Sequence, residues 1–265
     1  MLQSRNPALR NVGAAAAAGA AGTRMVGGEA TQATQGVTGT DRATIEGIVH
    51  KTVGLLLLTA LTTLTVWWWA GGEPVGLPFA GFAFFPLIAV GVLTGFKPHL
   101  ARVTGPIYAV IAGGFIGVLT LSLQAMVDAS LTTLPTQAAL ATMVVAGSML
   151  FAYRTGLIRA TPRLRKVVVT SALAIGAFYL VNIVMSWFGS PMGLIWGQGL
   201  LPILLSVAFI AVASLMLVLD FDLVEQLAGS AEKRMEWYGA FAITTTLIWL
   251  YIELLRLLAL IFMRE

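Results

Sequence analysis

The chain has 265 residues, of which 58% are hydrophobic and 11% charged, with no cysteine and a formal net charge of +4. Soluble domains carry roughly 25% charged residues, so this composition excludes a soluble globular fold. The missing cysteines exclude a disulfide framework, thiolate catalysis and Cys-ligated metal.

Residues 1–42 are predicted to form a disordered cytoplasmic tail. Gly13 to Gly22 read GAAAAAGAAG, without Leu, Ile or Phe. That is too weakly apolar for the core of a signal peptide. It also offers too little bulky surface to offset its ordering entropy. Residues 43–265 are predicted to form one transmembrane domain. Seven apolar stretches follow, near 52–70, 77–96, 106–127, 134–153, 167–188, 196–219 and 237–262. Each can cross a core of about 30 Å as a helix. Alternation at period two is missing, which argues against a membrane β-barrel. The predicted class is an all-α polytopic membrane protein with seven transmembrane helices.

Basic residues set the expected orientation. The tail holds Arg5, Arg10, Arg24, Arg42 and Lys51; the second loop holds Lys97 and Arg102. The fourth loop holds Arg154, Arg159, Arg163, Arg165 and Lys166, and the sixth holds Lys233 and Arg234. The first, third and fifth loops hold neither Lys nor Arg. This places the N-terminus and the even loops in the cytoplasm and the C-terminus outside. The positive charge thus reflects topology, and a nucleic-acid partner is not expected. Trp67 to Trp69, Trp187 and Trp196 fall at the outer boundaries, and Tyr153, Trp237 and Tyr238 at the inner ones, as interfacial aromatic belts would.

Inside the third span, Gly113 and Gly117 form a GxxxG that lets helix backbones approach closely, and internal packing is its expected use. Pro86 interrupts one backbone hydrogen bond of the second span. The polar residues least at home in lipid are Asp220, Asp222 and Glu225 at the end of the sixth span, and Glu253 and Arg256 in the seventh. A lone carboxylate at such depth costs roughly 2.5 kcal/mol or more, so Glu253 needs a partner or a proton. Arg256 lies three residues on and can pair with it, or can reach toward the outer boundary. The other partner is an aspartate of the sixth span. Asp220 and Asp222 are about 200° apart around a helix, so only one of them can face the seventh. Asp222 and Glu253 stand level only if the sixth helix continues to about Lys233. If it stops near Gly229, Glu253 lies more than a turn deeper.

The run Asp220-Phe221-Asp222, the stretch Glu236-Trp237-Tyr238-Gly239-Ala240-Phe241, and Trp249-Leu250-Tyr251-Ile252-Glu253 together resemble the signature of the Bax inhibitor family. The opening Ser4-Arg5-Asn6-Pro7 and the seven spans are similar to its bacterial branch. The resemblance implies a fold with the last helix central and six around it, in the bacterial inner membrane. It implies a pH-sensitive calcium leak sensed by a carboxylate pair between the sixth and seventh helices. Asp222 matches the first acid and Glu253 the second, where the calcium-leak members carry Asp. A Glu that many members carry in the third span falls at Ala112 here. Asp220, Glu225 and Arg256 are supporting candidates, and calcium is expected near Asp222 and Glu253 as a permeant ion rather than a cofactor.

Two close carboxylates in low dielectric would share one proton. Its loss would expose an oxygen-lined site suited to calcium. The alternative is a non-conducting regulator that binds membrane partners such as a membrane-bound protease, its long tail supplying the contact. An enzyme is not expected. The only histidines, His50 and His99, fall at span ends, the last span lacks the lysine of a retinal protein, and no phosphate-binding GxxxxGK[ST] loop is present.

Overall fold

The computed structural model describes residues 42–71, 77–126, 134–188, 197 and 199–263, without the side chains of 77–83, 125, 126, 186 and 187. Residues 1–41 of the expected tail, with the motif at Ser4 to Pro7, and Trp196 lie outside the described residues. Seven α-helices follow in chain order: α1 (Ile45–Trp69), α2 (Leu77–Phe96), α3 (Ala101–Met126), α4 (Leu134–Arg154), α5 (Pro162–Trp187), α6 (Leu200–Leu227) and α7 (Glu236–Phe262). Six of these regions are long and apolar enough to cross a bilayer, and α2 contributes a further apolar helix over Phe84–Phe96. No strand occurs among the described residues; one isolated bridge joins Arg42 to Glu232. The protein is therefore an all-α polytopic membrane protein, as composition requires, since only helices satisfy their backbone within a single span.

The helices outrun the apolar stretches at the basic end of the bundle. α1 begins at Ile45, seven residues before its apolar run, because Thr44 caps it: Gly47 N donates to Thr44 Oγ1 at 3.0 Å. α3 and α5 likewise begin early, at Ala101 and Pro162. Hydropathy records the thickness of the bilayer core, whereas a helix can carry a polar turn or two beyond it.

The last helix lies at the centre, packed against α1, α3, α4 and α6; α2 rests mainly on α3, and α5 on α6. α3 shares this enclosed position. Its apolar window is 67% buried and that of α7 50%, against 17% in α4 and in α5. The outward faces of the outer helices, such as Leu57 and Leu61 of α1, Met143 and Val144 of α4 and Leu173 of α5, are exposed apolar surface suited to lipid. Trp68 and Trp69 are exposed at the end of α1, where an interfacial belt belongs.

Glycine is what lets α3 enter the core. A Cβ on Gly113 would overlap the Thr59 carbonyl and come within 2.7 Å of Thr62 Cβ, and one on Gly117 would come within 2.9 Å of Val66 Cβ. Thr63 Oγ1 donates to the Gly113 carbonyl at 3.0 Å across the same seam. The GxxxG therefore serves internal packing of α3 on α1. Gly114, between them, has open space beside it. Gly113→Ala is expected to destabilise by about 1–3 kcal/mol through overpacking, and Gly114→Ala to be neutral or mildly stabilising. Thermal unfolding in detergent checks this; equal effects at the two positions would refute the seam.

Candidate functional site

α6 and α7 run antiparallel, and the turn between them sets which residues stand level. α6 ends at Leu227, and Gly229 takes φ +75°, a left-handed value that suits glycine, as the chain turns away. Continuation to Lys233 does not occur. Arg256 of α7 reaches Ser206 of α6, and Thr246 of α7 meets Asp220 of α6. By that register Asp222 stands level with the stretch near residue 243, about ten residues from Glu253. At 1.5 Å per residue this is about 15 Å along the bundle. The expected Asp222–Glu253 pair is thus not brought together, because α6 stops short of the length that pairing needed.

Each of the two acids has its own cation instead. Asp222 accepts from Arg165 Nη2 at 2.8 Å and from Gln226 Nε2 at 2.6 Å, and it is partly exposed. Glu225 accepts from Tyr153 Oη at 2.7 Å. Both acids line a cavity with Tyr153, Arg154 and Arg159 at the basic end of the bundle. Glu253 is fully buried and pairs with Arg256 Nη2 at 3.0 Å, one of the two arrangements open from sequence. Its Oε1 accepts from Tyr179 Oη at 2.7 Å and from Trp249 Nε1 at 3.1 Å. Arg256 donates through Nε to Ser206 Oγ at 3.0 Å and through Nη1 to Tyr179 Oη. Its guanidinium carbon also lies 5.3 Å from the ring centres of Tyr179 and Phe209. The charge pair is therefore boxed in by α5, α6 and α7. Tyr179 and Ser206 carried no signal beyond being polar residues within apolar runs.

Asp220 is the acid that faces α7. It is buried, its neighbour there is Thr246, and its Oδ2 has no hydrogen-bond partner. None of the four ion pairs among the described residues involves it. The 200° separation from Asp222 holds: one aspartate turns to α7 and the other to Arg165 in the first turn of α5.

A further buried acid, Glu236 in the first turn of α7, was not singled out from the sequence. Its carboxylate pairs with Lys51 and accepts from Thr44 N at 3.0 Å and Thr44 Oγ1 at 3.1 Å. Around it the strand-like segment before α1 is tied to the α6–α7 turn. Ala43 N donates to Ala231 O at 2.9 Å, Gly229 N to Ala43 O at 2.8 Å, and Arg42 Nη1 to Gly229 O at 3.0 Å. No group of three or more His, Asp or Glu poised to hold a metal ion occurs among the described residues.

Comparison with known proteins places this geometry. The model of the family described as Bax inhibitor 1 like matches residues 6–263, nearly the whole chain. No curated protein and no solved structure matched.

Proposed function

The chain belongs to the Bax inhibitor 1 like family, and on that footing we propose that it is a pH-sensitive leak for a cation, calcium first, across the bacterial inner membrane. The N-terminus and basic loops lie in the cytoplasm on this reading, and the protein is not an enzyme. The observation that carries the proposal is the state of Asp220. Asp222, Glu236 and Glu253 each stand beside a cation, and Glu225 beside a phenol. Asp220, enclosed between α6 and α7, has neither a cation nor a hydrogen bond at Oδ2. A carboxyl group at that depth is held by a proton or by a passing cation. With the proton on, it is neutral and α6 stays seated on α7. With the proton off, a hard oxygen ligand opens beside the Thr246 hydroxyl, the donor type that calcium takes. Flux then rises with pH.

The sensing role thereby moves from the Asp222–Glu253 pair to Asp220, and Glu253 becomes a structural lock held by Arg256. The test is calcium-dye flux in proteoliposomes from pH 6 to 8. Asp220→Asn is expected to flatten the pH profile, while Asp222→Asn and Glu253→Gln keep its shape. A wild-type profile in Asp220→Asn would sink the assignment. Absence of calcium flux at every pH would sink conduction itself and favour the second reading, a non-conducting regulator binding a membrane partner.

A further inference from the structure

We propose that the cavity between the α4–α5 loop and the end of α6 binds the phosphate of an anionic phospholipid headgroup. The cavity holds about 400 Å³, and its charged lining is Arg154, Arg159, Asp222 and Glu225, with Tyr153 beside them. The two acids are already engaged, Asp222 by Arg165 and Gln226, and Glu225 by the Tyr153 hydroxyl. Arg154 and Arg159 make no ion pair among the described residues. Glu225 is likewise outside these ion pairs, but its Oε2 is taken by the Tyr153 hydroxyl, so the groups left wanting a partner are the two arginines. The first turn of α5 beside them carries Arg163, Arg165 and Lys166, with no acid from 154 to 166. Guanidinium groups meet phosphate oxygens with paired donors, which makes phosphate the fitting anion.

The apolar surroundings choose a lipid over a phosphate in solution. Phe151, less than a turn before Arg154, is 66% exposed, and Val144 two turns earlier is 71% exposed. Leu157, in the loop between the two arginines, is 76% exposed. An acyl chain lying along the outer face of α4 would bring its headgroup to the arginines at the level where the helix leaves the apolar zone. Tyr153, with its ring beside Phe221 and its hydroxyl on Glu225, has the amphipathic form that suits this boundary. Arg165 on Asp222 and Tyr153 on Glu225 keep the two carboxylates turned to protein donors and away from the incoming anion.

Two unpaired cations near an anionic surface are worth on the order of 30-fold in affinity. Native mass spectrometry of the full chain in neutral detergent would read binding of phosphatidylglycerol, phosphatidylcholine and inorganic phosphate separately. The expected result is a preference of that order for phosphatidylglycerol over phosphatidylcholine, lost in Arg154→Gln/Arg159→Gln and kept in Arg102→Gln, an exposed arginine in the first turn of α3. Ala160→Glu, which adds a carboxylate to the cavity wall, is expected to lose it too and serves should the double variant fail to fold. Equal binding of the two lipids, or a preference unchanged by either cavity variant, would overturn the proposal. Inorganic phosphate binding as tightly as the lipid would overturn the lipid assignment. The readout is binding, so it stands apart from whether the protein conducts.

Discussion

Arg256→Met is expected to lower stability by about 3–5 kcal/mol, the loss found when one partner of a buried ion pair is removed. Arg256 is 3% exposed and Glu253 fully buried, so the surviving carboxylate would have no water and no cation. Two of its donors, Tyr179 and Trp249, would remain, and neither carries charge. The substitution also removes the guanidinium from beside the Tyr179 and Phe209 rings and leaves Ser206 Oγ without its donor. Glu253→Gln is expected to cost less, because Arg256 keeps Ser206, Tyr179 and two aromatic faces. The double variant Glu253→Gln/Arg256→Met should recover most of the loss, since no uncompensated charge is left in the bundle. Tyr179→Phe tests the same cluster from α5, with an expected cost of about 1–3 kcal/mol for the donor on Arg256 and the acceptor on Glu253 that it leaves short of a partner. Denaturant or thermal unfolding in detergent would measure all four. Strictly additive costs for Glu253 and Arg256 would mean that the two side chains do not act as a pair.

The membrane fold was legible in the sequence because lipid leaves a chain few options. Long apolar runs must be helices, and the basic loops mark one end of the bundle. The central place of α7 came from family resemblance. The enclosure of α3 was legible only in part, through Gly113 and Gly117, because a close approach of two backbones depends on which helix supplies the opposite face. The site was harder. Sequence identified Glu253 and Arg256 as residues that need partners, and the geometry gave them each other. It left the Asp222–Glu253 pairing dependent on where α6 ends, and a break at Leu227 followed by Gly229 decided it. Asp220 and Asp222 looked alike in the sequence, being two residues apart in one acidic run. Only the orientation of α6 sends Asp220 to Thr246 and Asp222 to Arg165. Glu236 stands in the sequence only as part of the family signature, because a glutamate in the first turn of a helix is ordinary, being favoured by the helix dipole. Nothing local marks the partners Thr44 and Lys51, 192 and 185 residues away.

Glu236 supplies the second large effect. Its carboxylate sits at the start of two helices at once, in the first turn of α7 and against the capping residue of α1, so one anion serves two positive helix ends. Glu236→Ala removes the Lys51 ion pair and two hydrogen bonds from Thr44, and is expected to cost about 2–3 kcal/mol. The reason to attribute that cost to the carboxylate, rather than to disturbance of α7, lies in Gly47. A Cβ built on Gly47 would run into the Glu236 carboxyl group, so Gly47→Ala should destabilise the native protein. Once Glu236 is alanine the space is empty, and alanine is the better helix former by about 1 kcal/mol. Gly47→Ala should then change sign and stabilise. Additive behaviour, with Gly47→Ala equally harmful in both backgrounds, would show that Glu236 does not occupy the space beside α1. With the carboxylate removed, Ala43 and Gly229 should also exchange their amide hydrogens faster, because the bonds they donate, Ala43 N to Ala231 O and Gly229 N to Ala43 O, are what the Glu236 contacts hold in register.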